Sequence, residues 1–560
     1  MIKQFLGILV LTAMSVNSSA QTLVRGGQFQ DLILPMEGSI AATTSDWGTA
    51  PGKNAEGMWK GVLGRWKDNG IEDTERSYWG GNIMRDKDGA YHLYVAGWPE
   101  KSPRGHMVWS SQSRVYHTIS RNINGPYTFV EDIGEGHNPE TYLTADGTYV
   151  ISIIGGRYTS RSLNGPWKRS SFGFDLRDRK LVAGENRKSS LSNLSFARRE
   201  DNSFLMVDRG GSIWVSRDGL HDSWHQLTDH SVYEGNRRSY EDPVLWRDSV
   251  QYHMIVNDWH ARKAYYMRSL DGRKWITEAG AAYCADDKQF PHIFSVHKDG
   301  TEEWWYKYER PHIYQDSEGR AAYINFAVID CVKKEDKGGD SHSSKNIVLP
   351  LQKPLLTEMI KADGDVYIIR IKGEKGFKPK RDLNVKTLRF GCHSYVNYGK
   401  GLKVKKIAAQ GNDLIVTFSG KADDSGIVPG EWAPKLLGQK RNGSVAFSYV
   451  RMPQVNARPE LLSALCPNLE ARCVTIQNYG QTASRPVTVQ VYAADKKTLL
   501  AEGKVPSIDA YSHACVSLTL TNDTVPLHTD MLVVRFFNGD NKELLIERIP
   551  YSGVRPQTDN

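Results

Sequence analysis

The chain has few cysteines for its length, and several well-known catalytic patterns are missing from it. Six cysteines are scattered over 560 residues, without a C-x-x-C pair or a histidine at zinc-finger spacing, which argues against a structural zinc site. Phosphate-loop, dinucleotide-binding and G-x-S-x-G patterns are absent too. No basic run resembles a nucleic-acid arm, and no segment after the first twenty residues is apolar enough to cross a bilayer. We therefore expect neither nucleic acid as a partner nor a membrane span.

The first twenty residues have the composition of a signal peptide. Lys3 precedes an apolar stretch over residues 5–16, and Ser18-Ser19-Ala20 supply a small-residue cleavage site. This pattern predicts a cleaved segment over 1–20 and a protein that is periplasmic or secreted. Such compartments permit disulfides, so Cys473 and Cys515 are a candidate pair, with free thiols as the alternative.

Charge and aromatic content point toward a carbohydrate partner without deciding it. The net charge is +8, and the chain holds 15 tryptophans and 26 tyrosines. Aromatic rings stack on sugar rings, although strands also favour these residues. A positive field favours anionic partners, among which we rank uronate or sulfated glycans above DNA for an exported protein.

A repeat of about fifty residues is the most informative feature of the sequence. Each unit has a polar strand start, an Asp-Gly-type turn and an apolar second strand, which together predict a β-hairpin. Aligning Asn82, Asn138, Asn193 and Asp242 gives spacings of 56, 55 and 49, and a fifth unit is placed at Phe290-Pro291-His292-Ile293. Repeated four-stranded units favour an all-β, five-bladed β-propeller. Segments near 31–47 and 321–351 are expected to supply closing strands.

The repeat stops after Pro354, and shorter alternating strands follow. We predict a propeller domain over 21–355, a β-sandwich domain over 356–455 and an immunoglobulin-like β-sandwich over 456–560.

Residues at the strand starts of a propeller converge on its axis, so the repeat also predicts a site. The strand starts contribute Asn82, His137, Asn138, Glu140, Asn193, Glu241, Asp242 and His292. The ends of the second strands are expected to add Arg209, Asp258, His260, Lys307, Glu309 and Arg310. Buried polar groups destabilise the folded protein unless they are hydrogen-bonded or hydrated, so a ring of such groups suggests a binding site.

The motifs Gly136-His137-Asn138-Pro139-Glu140 and Tyr240-Glu241-Asp242-Pro243 resemble those of the five-bladed glycoside hydrolases, the family 43-like, family 32-like and family 117-like enzymes. The resemblance covers roughly residues 40 to 350. It implies a glycosidase that uses carboxylates on the propeller axis as acid and base. The family 43 pattern has an aspartate base in the first blade, where this chain has Asn82, and some family 117-like enzymes use a histidine.

On this resemblance, the catalytic candidates are Glu140, Glu241, Asp242 and His137. The substrate-binding candidates are Asn82, Asn138, Asn193, Arg209, Asp258, His260, His292 and Trp79. No cofactor is implied, and an axial calcium ion is left open without a ligand motif to support it. The expected partner is a plant or algal polysaccharide or its oligosaccharides, with an anionic glycan as one option.

Two other functions remain open at this stage. A polysaccharide lyase similar to the ulvan lyases would use histidine, tyrosine and arginine on a uronate, for which the chain offers His117, His137, Tyr252 and Arg268. The replacement of the first-blade aspartate by Asn82 is also compatible with a propeller that binds a glycan without cleaving it.

Overall fold

The computed structural model describes most of the chain between residues 22 and 550. The described ranges are 22–36, 52–53, 59–60, 69–73, 75–172, 192–220, 224–228, 231–234, 239–285, 295–298, 300, 302–303, 305–329, 331–338, 344–453, 462–464, 467–480, 482–510, 512–521 and 531–550. The predicted signal peptide, Cys466 and His292 lie outside the described residues.

Five antiparallel sheets fill the N-terminal part of the chain, and each is built from consecutive strands. Sheet A contains Arg76–Arg85, Tyr91–Pro99, Arg114–Ser120 and Thr128–Glu135. Sheet B contains Glu140–Leu143, Tyr149–Ile153, Gly156–Ser160 and Lys168–Ser170. Sheet C contains Ser195–Arg198, Phe204–Val207, Ile213–Ser216 and His225–Gln226. Sheet D contains Tyr240–Arg247, Tyr252–Asp258, Lys263–Ser269 and Trp275–Thr277, with Tyr283–Cys284 paired to its third strand. Sheet E contains Lys307–Gln315, Ala321–Ile329 and Ser344–Pro350.

The first strands of these sheets contact one another in the closed cyclic order A, B, C, D, E and back to A. Apolar clusters lie between neighbouring sheets; one joins Tyr142 and Val150 of sheet B to Phe204 and Met206 of sheet C. The strand Phe204–Val207 is buried along its whole length, which explains why its sequence is continuously apolar rather than alternating. The all-β prediction is confirmed, and the ring of first strands brings five strand starts to one axis.

The N-terminal segment closes this ring against sheet E. Ile33 pairs with Leu351 in an antiparallel bridge, and the amide of Leu34 donates to the carbonyl of Pro350 over 2.8 Å. The segment from Ala321 onward was expected to hold closing strands, and it provides the second and third strands of sheet E.

The fifth hairpin was placed too early in the sequence. Ser295–Val296 and Glu302–Glu303 form only a small two-stranded sheet, whereas the first strand of sheet E is Lys307–Gln315. The motif Glu309-Arg310-Pro311-His312 within that strand has the same Xaa-Pro pattern as Glu241-Asp242-Pro243. The longer spacing to this unit hid it from a search at a fixed period of fifty residues.

The remaining sheets follow the ring. A seven-stranded sheet has the order Thr357–Asp363, Val366–Ile371, Asp413–Ser419, Leu402–Gln410, Leu383–Gly391, Lys435–Lys440 and Val445–Tyr449. A three-stranded sheet contains Leu462–Ala464, Cys473–Asn478 and His513–Ser517. A five-stranded sheet has the order Thr519–Leu520, Leu499–Val505, Val487–Ala493, Met531–Phe537 and Glu543–Pro550. These last two sheets share one apolar core. Gly52–Lys53 and Trp59–Lys60 form a separate hairpin.

Helices are short throughout the described residues. They are Phe29–Leu32, Gly105–Val108, Trp109–Gln112, Pro379–Asp382, His393–Val396 and Ala422–Ser425. None of these single turns has the length or apolar character of a membrane-spanning helix. Cys473 and Cys515 lie on neighbouring paired strands, each as a thiol.

A buried ionic cluster joins sheet D to the seven-stranded sheet. Glu278 forms an ion pair with Arg268, whose Nε lies 2.7 Å from Oε1; it accepts a hydrogen bond from the Tyr449 hydroxyl over 2.6 Å, and it lies 3.5 Å from the Lys435 ammonium group. Burial raises the pKa of Glu278, but the charges of Lys435 and Arg268 outweigh that effect and hold it below the ordinary range. Since a charge left unpaired in this cluster would be costly, we expect the two parts of the chain to depend on each other for stability.

Candidate active site at the ring axis

Each first strand contributes three equivalent positions near the axis. In sheets A, D and E, a β-bulge places two residues of the first strand opposite one residue of the second strand, so the first strand has one extra residue there, and sheets B and C begin with the same geometry. The mouth positions are Trp79, His137, Ser192, Glu241 and Glu309. The ring positions are Gly80, Asn138, Asn193, Asp242 and Arg310. The lower positions are Asn82, Glu140, Ser195, Val244 and His312. All five ring residues have positive φ, from 48° to 68°, which is the shared backbone signature of the repeat.

The ring positions form a hydrogen-bonded chain around the axis. The Asn138 amide donates to Asn193 Oδ1 over 2.6 Å, and the Asn193 amide donates to Asp242 Oδ1 over 2.7 Å. Arg310 then donates to Asp242 from both its backbone and its guanidinium, each over 3.2 Å. Sheet A places Gly80 here, where an added Cβ would lie 2.9 Å from Arg310 Cβ. These predicted site residues therefore meet, and they form the floor of the site.

Glu241 is the mouth carboxylate that reaches solvent. Its side chain is 19% exposed, whereas those of Asp242 and Glu309 are each 3% exposed. Arg209 of sheet C, the neighbouring sheet, lies 3.0 Å from Glu241 Oε2. Burial, followed by the charges of Asp242 and Glu309, raises the pKa of Glu241 to about 8. Glu241 is therefore protonated at neutral pH.

Glu309 has the opposite electrostatic environment. Lys307 Nζ lies 2.9 Å from Glu309 Oε1, and Lys333 pairs with the other carboxylate oxygen. Although burial raises the pKa of Glu309, the two ammonium groups outweigh it and hold the pKa below the ordinary range. Glu309 is therefore a buried carboxylate next to Glu241 whose ionised form the two lysines favour.

His137 is the other partly exposed mouth residue, and it belongs to sheet B while Glu241 belongs to sheet D. Ser113 Oγ lies 2.8 Å from its Nδ1, and the ring of Trp109 lies 4.9 Å away between centroids. Burial and the charges of Arg310 and Lys333 lower the pKa of His137 to about 3. The imidazole is thus in its neutral form at physiological pH.

Glu140 occupies a lower position rather than the mouth. It pairs with His312 Nε2, and Ser195 Oγ donates to its other oxygen over 3.3 Å. His312 is fixed in turn by its Nδ1, 3.0 Å from the Arg310 carbonyl. This arrangement gives Glu140 a role in joining sheets B, C and E beneath the ring.

Two predicted substrate contacts are engaged elsewhere. Asn82 exchanges two 2.7 Å hydrogen bonds with the backbone of Thr141, and so joins sheet A to sheet B. Trp79 is 3% exposed, with Lys333 Nζ 4.5 Å from its ring centroid and His106 against its edge. Asn82 was aligned two residues away from its true equivalents, because sheet A has Gly80 at the ring position, where sheets B, C and D have an asparagine or aspartate.

The predicted rim residues of sheet D lie where its second strand ends. Asp258 Oδ1 accepts the amide of Ala261 over 3.1 Å, and His260 is exposed beside Trp259. The carbonyl of Trp259 accepts Lys307 Nζ over 3.0 Å, which places this turn next to Glu309.

The four lyase candidates are not brought together. His117 is buried in sheet A, with its Nε2 2.8 Å from His92 Nδ1. Arg268 is committed to the Glu278 cluster in sheet D, and Tyr252 is buried in the same sheet. His137 alone lies at the mouth.

Glu241, Asp242 and Glu309 are the only described group of three carboxylates, histidines or cysteines close enough to hold a metal ion, with oxygens within 4.8 Å of one another. Each of the three carboxylates is nevertheless paired with Arg209, Arg310 or a lysine. Four cationic groups around three carboxylates oppose a divalent cation, so the residues present do not fit a calcium ion here.

Sequence reasoning named Glu309 and Arg310 only as rim residues, and it missed His312 and Lys333. The signal for the first three was available in the Arg310-Pro311 dipeptide, which repeats Asn138-Pro139 and Asp242-Pro243. Lys333 lies in a connection without repeat features, so no local pattern marks it.

No family model and no curated protein sequence matches the chain. Solved structures do resemble it. A family 43 endo-arabinanase from Bacillus licheniformis is 13% identical with a TM-score of 0.31, over 51% of this chain and 96% of that one. A family 117 glycoside hydrolase from the marine bacterium Zobellia galactanivorans is 10% identical with a TM-score of 0.34, over 51% and 89%. A protein described as a glycoside hydrolase is 10% identical with a TM-score of 0.33, over 87% and 96%.

Proposed function

We propose that the protein is a glycoside hydrolase whose active site is the mouth of the five-sheet ring. The observation that carries this proposal is that a partly exposed carboxyl group, whose pKa is raised, and a partly exposed imidazole, whose pKa is lowered, lie at one mouth. Glycosidic cleavage needs a proton donor for the leaving oxygen and a base for the attacking water.

Glu241 is the proposed general acid. Its raised pKa keeps the proton on the carboxyl group at neutral pH, and it is the most exposed of the three clustered carboxylates. Donation to the glycosidic oxygen leaves a carboxylate that Arg209, 3.0 Å away, stabilises as it forms.

His137 is the proposed general base. The imidazole is neutral over the whole physiological range, and Ser113 fixes its orientation through Nδ1. Asp242 and Glu309 are positioning residues: their oxygens are bonded to cations, and their charges keep the proton on Glu241.

The charge of the mouth supports an anionic glycan as the substrate. Arg209, Arg310, Lys307 and Lys333 carry four positive charges, against two on Asp242 and Glu309 when Glu241 is protonated. The excess of two positive charges favours a uronate or a sulfated sugar over a neutral one.

The test is incubation of the full chain with arabinan, xylan, polygalacturonate, ulvan and carrageenan. Reducing ends and absorbance near 235 nm are followed together. We expect new reducing ends without absorbance, and their loss in Glu241→Gln. Rising absorbance would instead establish a lyase. Retention of a glycan without cleavage would establish a binding protein, the remaining alternative.

Export to the periplasm or beyond is part of the same proposal, since polysaccharides are degraded outside the cytoplasm. Amino-terminal sequencing of the protein from a culture medium or periplasmic extract is expected to begin near Gln21.

A further inference from the structure

Exposed apolar side chains are concentrated at one end of the ring. Within the described residues between 76 and 350, five large hydrophobic side chains are exposed: Trp109, Val130, Ile154, Trp259 and Val332. Apart from Val130, each of them lies on a connection between the second and third strands of a sheet. Because strands within a sheet are antiparallel, these connections lie at the same end as the mouth positions.

The two tryptophans flank the proposed acid and base from different sheets. Trp109 is 37% exposed in the connection of sheet A, with its ring 4.9 Å from that of His137. Trp259 is 39% exposed in the connection of sheet D, which is also the sheet of Glu241. Lys307 Nζ bonds its carbonyl and lies 5.4 Å from its ring.

An indole exposed to solvent forgoes the hydrophobic stabilisation that full burial would give, and here two such indoles lie at the same end of the ring, next to the mouth. The apolar face of a sugar ring stacks on such a surface, while the hydroxyls remain hydrogen-bonded at its edge. Sheets A and D are not neighbours in the cyclic order, so one sugar ring cannot use both indoles as its platform.

We propose that Trp109 and Trp259 bind two different sugar units of one glycan chain, on opposite sides of the scissile bond. This inference rests on the proposed function. It adds that the substrate is an oligosaccharide or polysaccharide chain that lies across the mouth. A single terminal sugar would engage only one platform.

The test measures binding apart from cleavage. The full chain carrying Glu241→Gln is titrated calorimetrically with size ladders of one to six units of oligogalacturonides, arabino-oligosaccharides and xylo-oligosaccharides. For the ladder that binds, we expect affinity to rise at least about tenfold between one unit and four units. In that background, Trp109→Ala and Trp259→Ala should each lower the affinity for the tetramer on the order of tenfold.

Three controls separate platform loss from misfolding. Val130→Ala removes an exposed apolar group of sheet A away from the mouth and should leave the affinity unchanged. Trp109→Phe and Trp259→Phe keep an aromatic face and should restore most of the affinity. Trp259→Ala leaves the hydrogen bond from Lys307 in place, because that bond goes to the backbone.

This inference would be overturned if the affinity did not depend on oligosaccharide length in any ladder. It would also be overturned if the tryptophan variants lost no more affinity than Val130→Ala. Binding in none of the ladders would overturn it as well. The proposed function fails separately: it is refuted if the unaltered chain binds long oligomers through both tryptophans and cleaves none of them.

Discussion

Two substitutions around Glu241 should move its proton affinity in opposite directions. Arg209→Gln removes a cation 3.0 Å from the carboxylate. At that distance, Coulomb's law gives about 1.4 to 5.5 kcal/mol for dielectric constants between about 80 and 20. The pKa of Glu241 should therefore rise by at least about one unit. Glu309→Gln removes an anion within 4.8 Å, worth about 0.9 to 3.5 kcal/mol for dielectric constants between about 80 and 20. The pKa should therefore fall, by about 0.6 to 2.5 units.

The assay is kcat/KM against pH on a cleaved glycan, whose alkaline limb reports the essential acid of the free enzyme. The limb of the unaltered protein is expected near pH 8, with Arg209→Gln shifted upward and Glu309→Gln downward. Losing Glu309 also unpairs Lys333, which lowers the pKa of Glu241 further in the same direction. Shifts of the same sign in both variants, or no shift in Arg209→Gln, would refute the assignment of Glu241 as the acid.

Three further predictions concern stability and metal dependence. The pKa of Glu241 lies near 8 in the folded protein and its ordinary value is 4.5, so the contribution of this group to stability is present below pH 4.5 and is lost as the pH rises toward 8. Glu241→Gln should therefore raise the melting temperature at pH 8.5 and leave it unchanged at pH 4.5. An unchanged melting temperature at both pH values would contradict the raised pKa. Asn82→Ala should lower the free energy of unfolding, measured by denaturant titration, by about 1 to 3 kcal/mol, and Glu140→Gln should lower it as well. Both variants should leave KM unchanged. A large rise in KM without loss of stability would show that these residues contact the substrate. Dialysis against a chelator should leave activity unchanged, and loss restored by calcium would show that the three carboxylates hold an ion after all.

The convergence of the repeat on one axis could be predicted because hairpin chemistry is local. Asp-Gly turns and alternating strands specify each unit. A ring of such units brings Asn138, Asn193 and Asp242 together regardless of the length and conformation of the loops between them. The depth of each residue along the axis could not be predicted in this way. Glu140 and Glu241 belong to similar motifs, but their positions within the unit differ by three residues. As a result, Glu140 is buried in a pair with His312, whereas Glu241 lies at the mouth.

The electrostatic roles of Glu241 and Glu309 depend on contacts between residues far apart in the sequence, which no spacing encodes. Lys333 lies in the last connection of the ring and pairs with Glu309 of the same sheet, while Arg209 comes from sheet C to pair with Glu241 of sheet D. The segments Tyr308-Glu309-Arg310-Pro311 and Tyr240-Glu241-Asp242-Pro243 are similar in sequence, and only the fold shows that Lys333 pairs with the first glutamate and Arg209 with the second. Sheet A likewise has Gly80 at the ring position, so the repeat was aligned on Asn82, which lies two residues later in the strand.

The most direct test of the account is the pH dependence of kcat/KM for the unaltered chain on the glycan that it cleaves. An acid with a pKa of about 8 and a base with a pKa of about 3 predict a plateau between about pH 4 and pH 7, followed by a one-proton fall centred near pH 8. A fall centred near pH 5, where an ordinary carboxylic acid ionises, would contradict the assignment of Glu241 as the proton donor.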